Sequence, residues 1–192
     1  MARRRWLPVF GLLVVGGVLG AGALLASVEV NRHTSTDAFC TSCHSMKHVA
    51  ADPFFAKSKH RSNTAGVVVG CADCHIPTTN WFVETYVHVS SGIRDVWAES
   101  TNDFADRAAW EKHRIALNQH VREEMRRNDG VTCRGCHVPP AITPANERGR
   151  AAHKMLAEGR MTCIDCHFNL VHAPVPPSAD FLRGSGLRTP RK

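Results

Sequence analysis

Four Cys-x-x-Cys-His segments constrain this chain more than any other feature. They are Cys40-Thr41-Ser42-Cys43-His44, Cys71-Ala72-Asp73-Cys74-His75, Cys133-Arg134-Gly135-Cys136-His137 and Cys163-Ile164-Asp165-Cys166-His167, and together they use all eight cysteines. Two thiols three residues apart can reach the two vinyl groups on one edge of a porphyrin, and the histidine that follows can ligate the iron. Each segment therefore reads as a covalent attachment site for haem c, four in all. Cysteine pairs also build zinc sites, redox disulfides and disulfide frameworks. Zinc ribbons take two pairs per metal, and none requires a histidine after every second cysteine. A thioredoxin-like motif appears once, inside a βαβ pattern that is absent here.

The N-terminal end addresses the chain. Arg3, Arg4 and Arg5 precede an uncharged run from Trp6 through Val28, which Glu29 ends. As a helix those 23 residues measure about 34 Å, enough to cross a hydrocarbon core of about 30 Å. The alternative is a cleaved signal peptide with small residues at Ala21, Ala23 and Ala26, but its apolar region is usually only about 7–15 residues long. The arginines predict a cytoplasmic N-terminus and export of the rest. This places a single-pass anchor in the bacterial cytoplasmic (inner) membrane and the haem domain in the periplasm, the side on which bacteria attach haem c. Gly16 and Gly20 form a G-x-x-x-G pair on which anchors could pair into a homo-oligomer, although glycine is common in membrane spans in any case.

Composition agrees with a fold built on cofactors. Aromatic residues are 7% of the chain, too few for an ordinary side-chain core, and four porphyrins would supply the missing apolar material. The formal charge of +7 would suit nucleic acid or anionic lipid. Eight haem propionates add roughly −8 and cancel it, and export excludes nucleic acid. The fold class expected is mainly α with much irregular structure: one transmembrane helix plus a multihaem cytochrome c domain. The expected organisation is a stub and anchor over 1–30, a periplasmic tetrahaem domain over 31–175 and an extended tail over 176–192.

Within the domain, residues 31–39 read as a short polar link that keeps the first haem near the membrane surface. Residues 79–100 and 101–129 read as two helices, the second an amphipathic cover with Gly130 as its stop. A third runs over 147–158, ended by Gly159. His60 lies 11 residues before Cys71 and His153 ten before Cys163, so the chain reads as two halves of two haems each.

Four six-coordinate haems need eight axial ligands. The motifs offer four histidines, and His33, His48, His60, His88, His113, His120, His153 and His172 remain, with Met46 two residues after His44. Haem iron that cycles electrons is usually ligated on both faces. Hence several of these are distal ligands, and His60, His153 and His172 are the candidates because each lies near a motif. Met46 is either a packing residue or a thioether ligand. His88 and Asp95, seven apart on one helix, read as surface residues on spacing alone.

Taken together, the short anchor, Cys-x-x-Cys-His-x-Met first, Ser-x-His ahead of the second motif and Thr-Cys-Ile-Asp-Cys-His-x-x-x-x-His last resemble the NapC/NirT family. These are membrane-anchored tetrahaem cytochromes c that take part in quinol oxidation. The resemblance covers essentially the whole chain. It implies that Met46 ligates the first haem in place of His44, and that Asp95 stands beside that haem's open side, where quinol binds. His88 sits where the members serving nitrite reductase carry a lysine. The resemblance also implies that His172 is the distal ligand of the second haem (opposite His75) and His60 that of the third (opposite His137). For the fourth, opposite His167, it leaves His153 or a partner protein.

The function implied is electron transfer between the quinone pool and a periplasmic redox partner. Most simply, quinol dehydrogenase activity feeds a reductase of nitrate, nitrite or an N-oxide. The same machinery could run in reverse, reducing quinone with electrons from hydroxylamine or ammonia oxidation. A multihaem reductase of small substrates is a third reading. Such nitrite reductases typically carry lysine in place of a motif histidine, and none of these four motifs does.

Overall fold

The computed structural model describes residues 3–184. It is helical, with no β-strand among the described residues. The first helix, α1, spans Arg3–Thr34, and its apolar side chains are exposed along its length. It is long and apolar enough to cross a membrane. It does not stop where the apolar run stops. Asn31, Arg32 and His33 continue it, so the first part of the expected link is helix. The reason is local: Glu29 and Arg32 pair at 2.8 Å across one turn, and nothing before Ser35 breaks the backbone pattern.

Four short helices follow: α2 (Asp37–Cys40), α3 (His44–Ala50), α4 (Pro53–Lys57) and α5 (Cys71–His75). Two long ones come next, α6 (Trp81–Thr101) and α7 (Arg107–Arg127). Asn80 caps α6 by accepting from the Val83 N–H at 3.0 Å. The second long helix starts later than the sequence suggests. Asn102 is extended, Phe104 is buried in the connection, and Asp106 is the cap, accepting from the Ala109 N–H at 2.7 Å. Beyond α7, Asp129 and Gly130 both adopt positive φ, near 60°, a conformation glycine accepts without penalty. Then come α8 (Val131–Arg134), α9 (Glu147–Ala157), α10 (Cys163–Cys166) and α11 (Ala179–Gly184).

The last segment departs most from expectation. The residues after Val175 were read as an extended tail. Instead they fold back on α7, and Phe181 is completely buried. Arg126 donates to the Phe181 carbonyl at 2.6 Å and lies 3.7 Å over its ring. Arg122 donates to the Val175 carbonyl at 2.6 Å. The prolines at 174, 176 and 177 rule out helix there, and a single buried aromatic leaves no periodic pattern to detect. Residues 185–192, the rest of that tail, lie outside the described residues.

The side-chain core is sparse. Among the described residues its large apolar members are Phe55, Phe104, Trp110, Leu156, Ile164, Val175 and Phe181. Short helices of four to seven residues gain little stability from backbone hydrogen bonding alone. Their positions are set by side-chain ties around the motifs.

Candidate haem-binding site

Each motif occupies about one helical turn. The His137 N–H donates to the Cys133 carbonyl and the His167 N–H to the Cys163 carbonyl, both at 2.8 Å. Such a turn puts residues i and i+3 on one side, so the two thiols of a motif share a face. In two motifs the third residue caps its own turn. Asp73 accepts from the Gly70 N–H at 2.7 Å. Asp165 accepts from the Thr162 N–H at 2.7 Å and the Thr162 hydroxyl at 2.9 Å.

Other carboxylates join motifs that are distant in sequence. Asp37 accepts from the Cys71 N–H at 2.8 Å and pairs with Arg61, tying the first motif to the second. Burial pushes the Asp37 carboxyl up, but the Cys71 N–H and the Arg61 guanidinium outweigh it and hold it below the usual carboxylate range. Glu99, from α6, accepts from the N–H groups of His44 at 3.2 Å and Ser45 at 3.1 Å, and from the Ser45 hydroxyl. It therefore caps the start of α3 with a charge. Asp165 uses its second oxygen to accept from Arg126 at 2.7 Å, so α7 holds the fourth motif.

The thiols lie in a sequence-ordered chain. Cys40 lies beside Cys71 across the first two motifs. Cys133 lies beside Cys163 across the last two. Cys74 of the second motif lies within charge range of Cys136 and Cys133 of the third. Gly130 sits against the later pair, where a Cβ would meet the Cys133 and Cys163 sulfurs at 3.6 and 3.7 Å.

Three histidine pairs face one another. Ring centroids are 6.1 Å apart for His75 and His172, 6.2 Å for His60 and His137, and 6.2 Å for His153 and His167. An iron between two imidazoles needs about 2.0 Å to each nitrogen and about 1.1 Å more to each ring centre, or about 6.2 Å in all. Interplanar angles of 42°, 77° and 12° are all compatible with ligands that share an axis. The His153 and His167 rings are nearly parallel. Nδ1 of His153 and of His172 is buried with no hydrogen-bond partner, a costly state for a free imidazole. Burial, and then the neighbouring His75, pushes the His172 imidazole down to about 4, keeping it in the neutral form that binds metal. Among the described residues no cluster of three or more His, Cys, Asp or Glu side chains could hold a metal ion by itself. Two protein ligands per metal, with paired thiols nearby, suit a metal whose equatorial positions a porphyrin fills.

The remaining histidines are engaged differently. His48 contacts the Phe104 carbonyl at 2.9 Å, His113 packs on Phe104, His33 packs on Phe39 and His120 lies 3.9 Å from Glu124. Among the described residues no histidine ring faces His44. His44 is exposed, whereas Met46 on the same helix is half-buried.

Asp95 lies within charge range of the first motif. Burial pushes the Cys43 thiol up, and the charges of Glu99 and then Asp95 push it further; Asp95 also acts on Cys40. The Asp95 side chain still reaches solvent, yet desolvation by its surroundings raises its carboxyl above the ordinary value, with Arg94 opposing and Glu99 reinforcing. His88 bonds through Nδ1 to Asn31 on the anchor helix, and Asn31 donates to Glu84 at 2.5 Å. Asp95, His88, Glu84 and Glu99 thus line one face of α6, between the end of the anchor and the first motif. The family resemblance singles out the first two, which spacing alone leaves as surface residues. Sequence reading missed Glu99, Asp37 and Asn31, because single polar residues in helices and links carry no spacing signal.

An exposed apolar helix followed by four paired-thiol turns, with histidines facing across gaps of iron-pair width, defines a membrane-anchored multihaem c-type cytochrome, an electron-transfer protein. The chain belongs to the NapC/NirT cytochrome c family, whose N-terminal-region model matches residues 2–177. It is 36% identical over 168 residues to a probable tetraheme cytochrome c-type protein of Nitrosomonas europaea, covering 86% of this chain and 70% of that one. It is 34% identical over 176 residues to the tetraheme c-type cytochrome CymA of Shewanella oneidensis, covering 88% and 91%. The cytochrome c-type protein TorY of Haemophilus influenzae is 34% identical over 166 residues, 85% of this chain but 44% of that longer protein. No solved structure gives a significant match.

Proposed function

We propose that this protein takes electrons from membrane quinol at its first haem and passes them, motif by motif, to a periplasmic redox partner. The observation that carries the proposal is the placement of Asp95 and His88 on one face of α6. That face reaches the anchor at Asn31 and the first motif at His44 and Ser45. Quinol resides in the bilayer and releases two protons with its two electrons. A carboxylate of raised pKa beside the membrane-side haem is a suitable proton acceptor. The bonds from His88 to Asn31 and from Asn31 to Glu84 hold this face against the end of the anchor.

The ligand assignment follows the pairs: His75 with His172, His137 with His60, and His167 with His153. Met46, half-buried near the first motif, would hold the first haem. When bound, each haem exchanges one electron, its potential set by axial ligand and burial. The thiol adjacencies support a path from first to fourth motif. The protein's own contribution is to hold the motifs in that order through Asp37, Gly130 and Arg126. The partner end is then the fourth motif, and a reductase of nitrate, nitrite or an N-oxide is the class of partner the family membership favours.

The test is haem reduction by a short-chain quinol, followed in the visible haem bands of the anchored protein in vesicles. The Asp95→Asn variant keeps four haems and slows reduction at least tenfold. An unchanged rate would sink the proposed site. Rapid quinone reduction by the prereduced protein, without quinol oxidation, would reverse the assigned direction.

A further inference from the structure

Helix α6 is amphipathic the wrong way round for a helix in water. Its polar residues face the protein: Glu84 and His88 meet Asn31, Asp95 acts on the first-motif thiols, and Glu99 caps α3. Its outward side carries Phe82, Tyr86, Val89, Ile93, Val96 and Trp97, which are 56 to 76% exposed. At 100° per residue these six fall within about 100° of arc. No charged residue lies in that arc. The stripe runs about 22 Å along the helix. A surface helix normally turns such a stripe inward.

The stripe faces away from the first-motif thiols. The Cys40 and Cys43 thiols lie on the Asp95 and Glu99 side, roughly opposite on the helix. An exposed apolar face of this length needs another cover. The anchor indicates which. The polar face of α6 is tied to α1 at Asn31, within one turn of exposed Val28 and Val30, so α6 meets the anchor at the level where its apolar run ends. Tyr86 and Trp97 are residue types that favour the headgroup level. The charges on its other face prevent α6 from spanning.

We propose that α6 is an interfacial membrane helix, lying with this stripe in the headgroup–acyl boundary and seating the haem domain against the bilayer. The seat would hold the first motif at the depth where the anchor emerges. The proposal does not depend on the quinol reading.

The test uses the full-length holoprotein. Its eight native thiols are consumed in thioether bonds, so an introduced cysteine is uniquely reactive. Val89→Cys and Ile93→Cys are compared with Glu147→Cys on exposed α9, in phosphatidylcholine–phosphatidylglycerol nanodiscs holding one copy each. A water-soluble, membrane-impermeant maleimide reports exposure, and haem content verifies folding at each position. The expected result is labelling at least tenfold slower at 89 and 93 than at 147. A smaller difference in single-copy discs overturns the proposal. Protection that appears only with two copies per disc also overturns it, by assigning the stripe to a second copy of this chain.

Discussion

The first and fourth motifs are built from the same five-residue pattern, yet their surroundings are opposite. Around the first, Asp95 and Glu99 bring negative charge, no histidine ring faces His44 among the described residues, and the supporting helix turns polar groups inward. Around the fourth, His153 faces His167, Ile164 and Asp165 are buried, and Arg126 bonds Asp165 and the Phe181 carbonyl. The contrast teaches that the attachment pattern secures a haem, while the neighbourhood decides what that haem can do. An accessible, carboxylate-flanked position suits exchange with a substrate that carries protons. A position whose motif histidine is faced by a second imidazole, on a turn held by a guanidinium, suits electrons alone.

The contrast can be tested from the strongest effect downward. Arg126→Ala should cost about 3–5 kcal/mol in denaturant unfolding of the holoprotein, because it removes the cationic partner of the fully buried Asp165 carboxylate and the bond to the Phe181 carbonyl. A loss under 1 kcal/mol would show that the lock is dispensable. His172→Ala and Met46→Ala should each perturb one haem, and differently. The first should turn a closed haem into a high-spin, ligand-binding one; the second should shift the spectrum and potential of the membrane-side haem alone. Redox titration with optical and electron paramagnetic resonance readout checks both, and a common spectral change in the two variants would erase the distinction.

Acid acts next. Asp37 is held below its unfolded value of about 3.9. Its contribution is therefore present above that pH and is lost as pH falls through the lower, folded value. Stability measured between pH 5 and 3 should slope less in Asp37→Asn than in the parent. The smallest change is Glu99→Gln. It keeps an acceptor at the start of α3 but removes the charge, for about 1 kcal/mol, detectable as a modest fall in unfolding midpoint.

Much was legible beforehand because it was local. Five adjacent residues suffice to write a haem attachment site, and 23 uncharged ones suffice to write a membrane span. The caps of the long helices were harder. Thr101, Asn102 and Asp103 offered plausible starts, but burial of Phe104 held the connection extended and left Asp106 to cap α7. Phe181 could not be found from pattern at all, since one aromatic among prolines and arginines has no period. Glu99 was equally silent, since its role depends on the backbone N–H groups of residues more than 50 positions away.

The sequence by itself determined the covalent chemistry, the number of haems and the anchor, because these rest on the spacing of neighbouring residues and on hydropathy over one helix length. Only the tertiary structure decided which face of α6 meets the first motif and which is left exposed, and that the chain's last described turn closes over Arg126. It also decided which imidazoles stand opposite: His75 and His172 are 97 residues apart in the chain and 6.1 Å apart in space. The physical reason is the same in each case. A ligand pair, a buried ion pair or an exposed stripe is a relation between surfaces, and those surfaces exist only once the helices have packed.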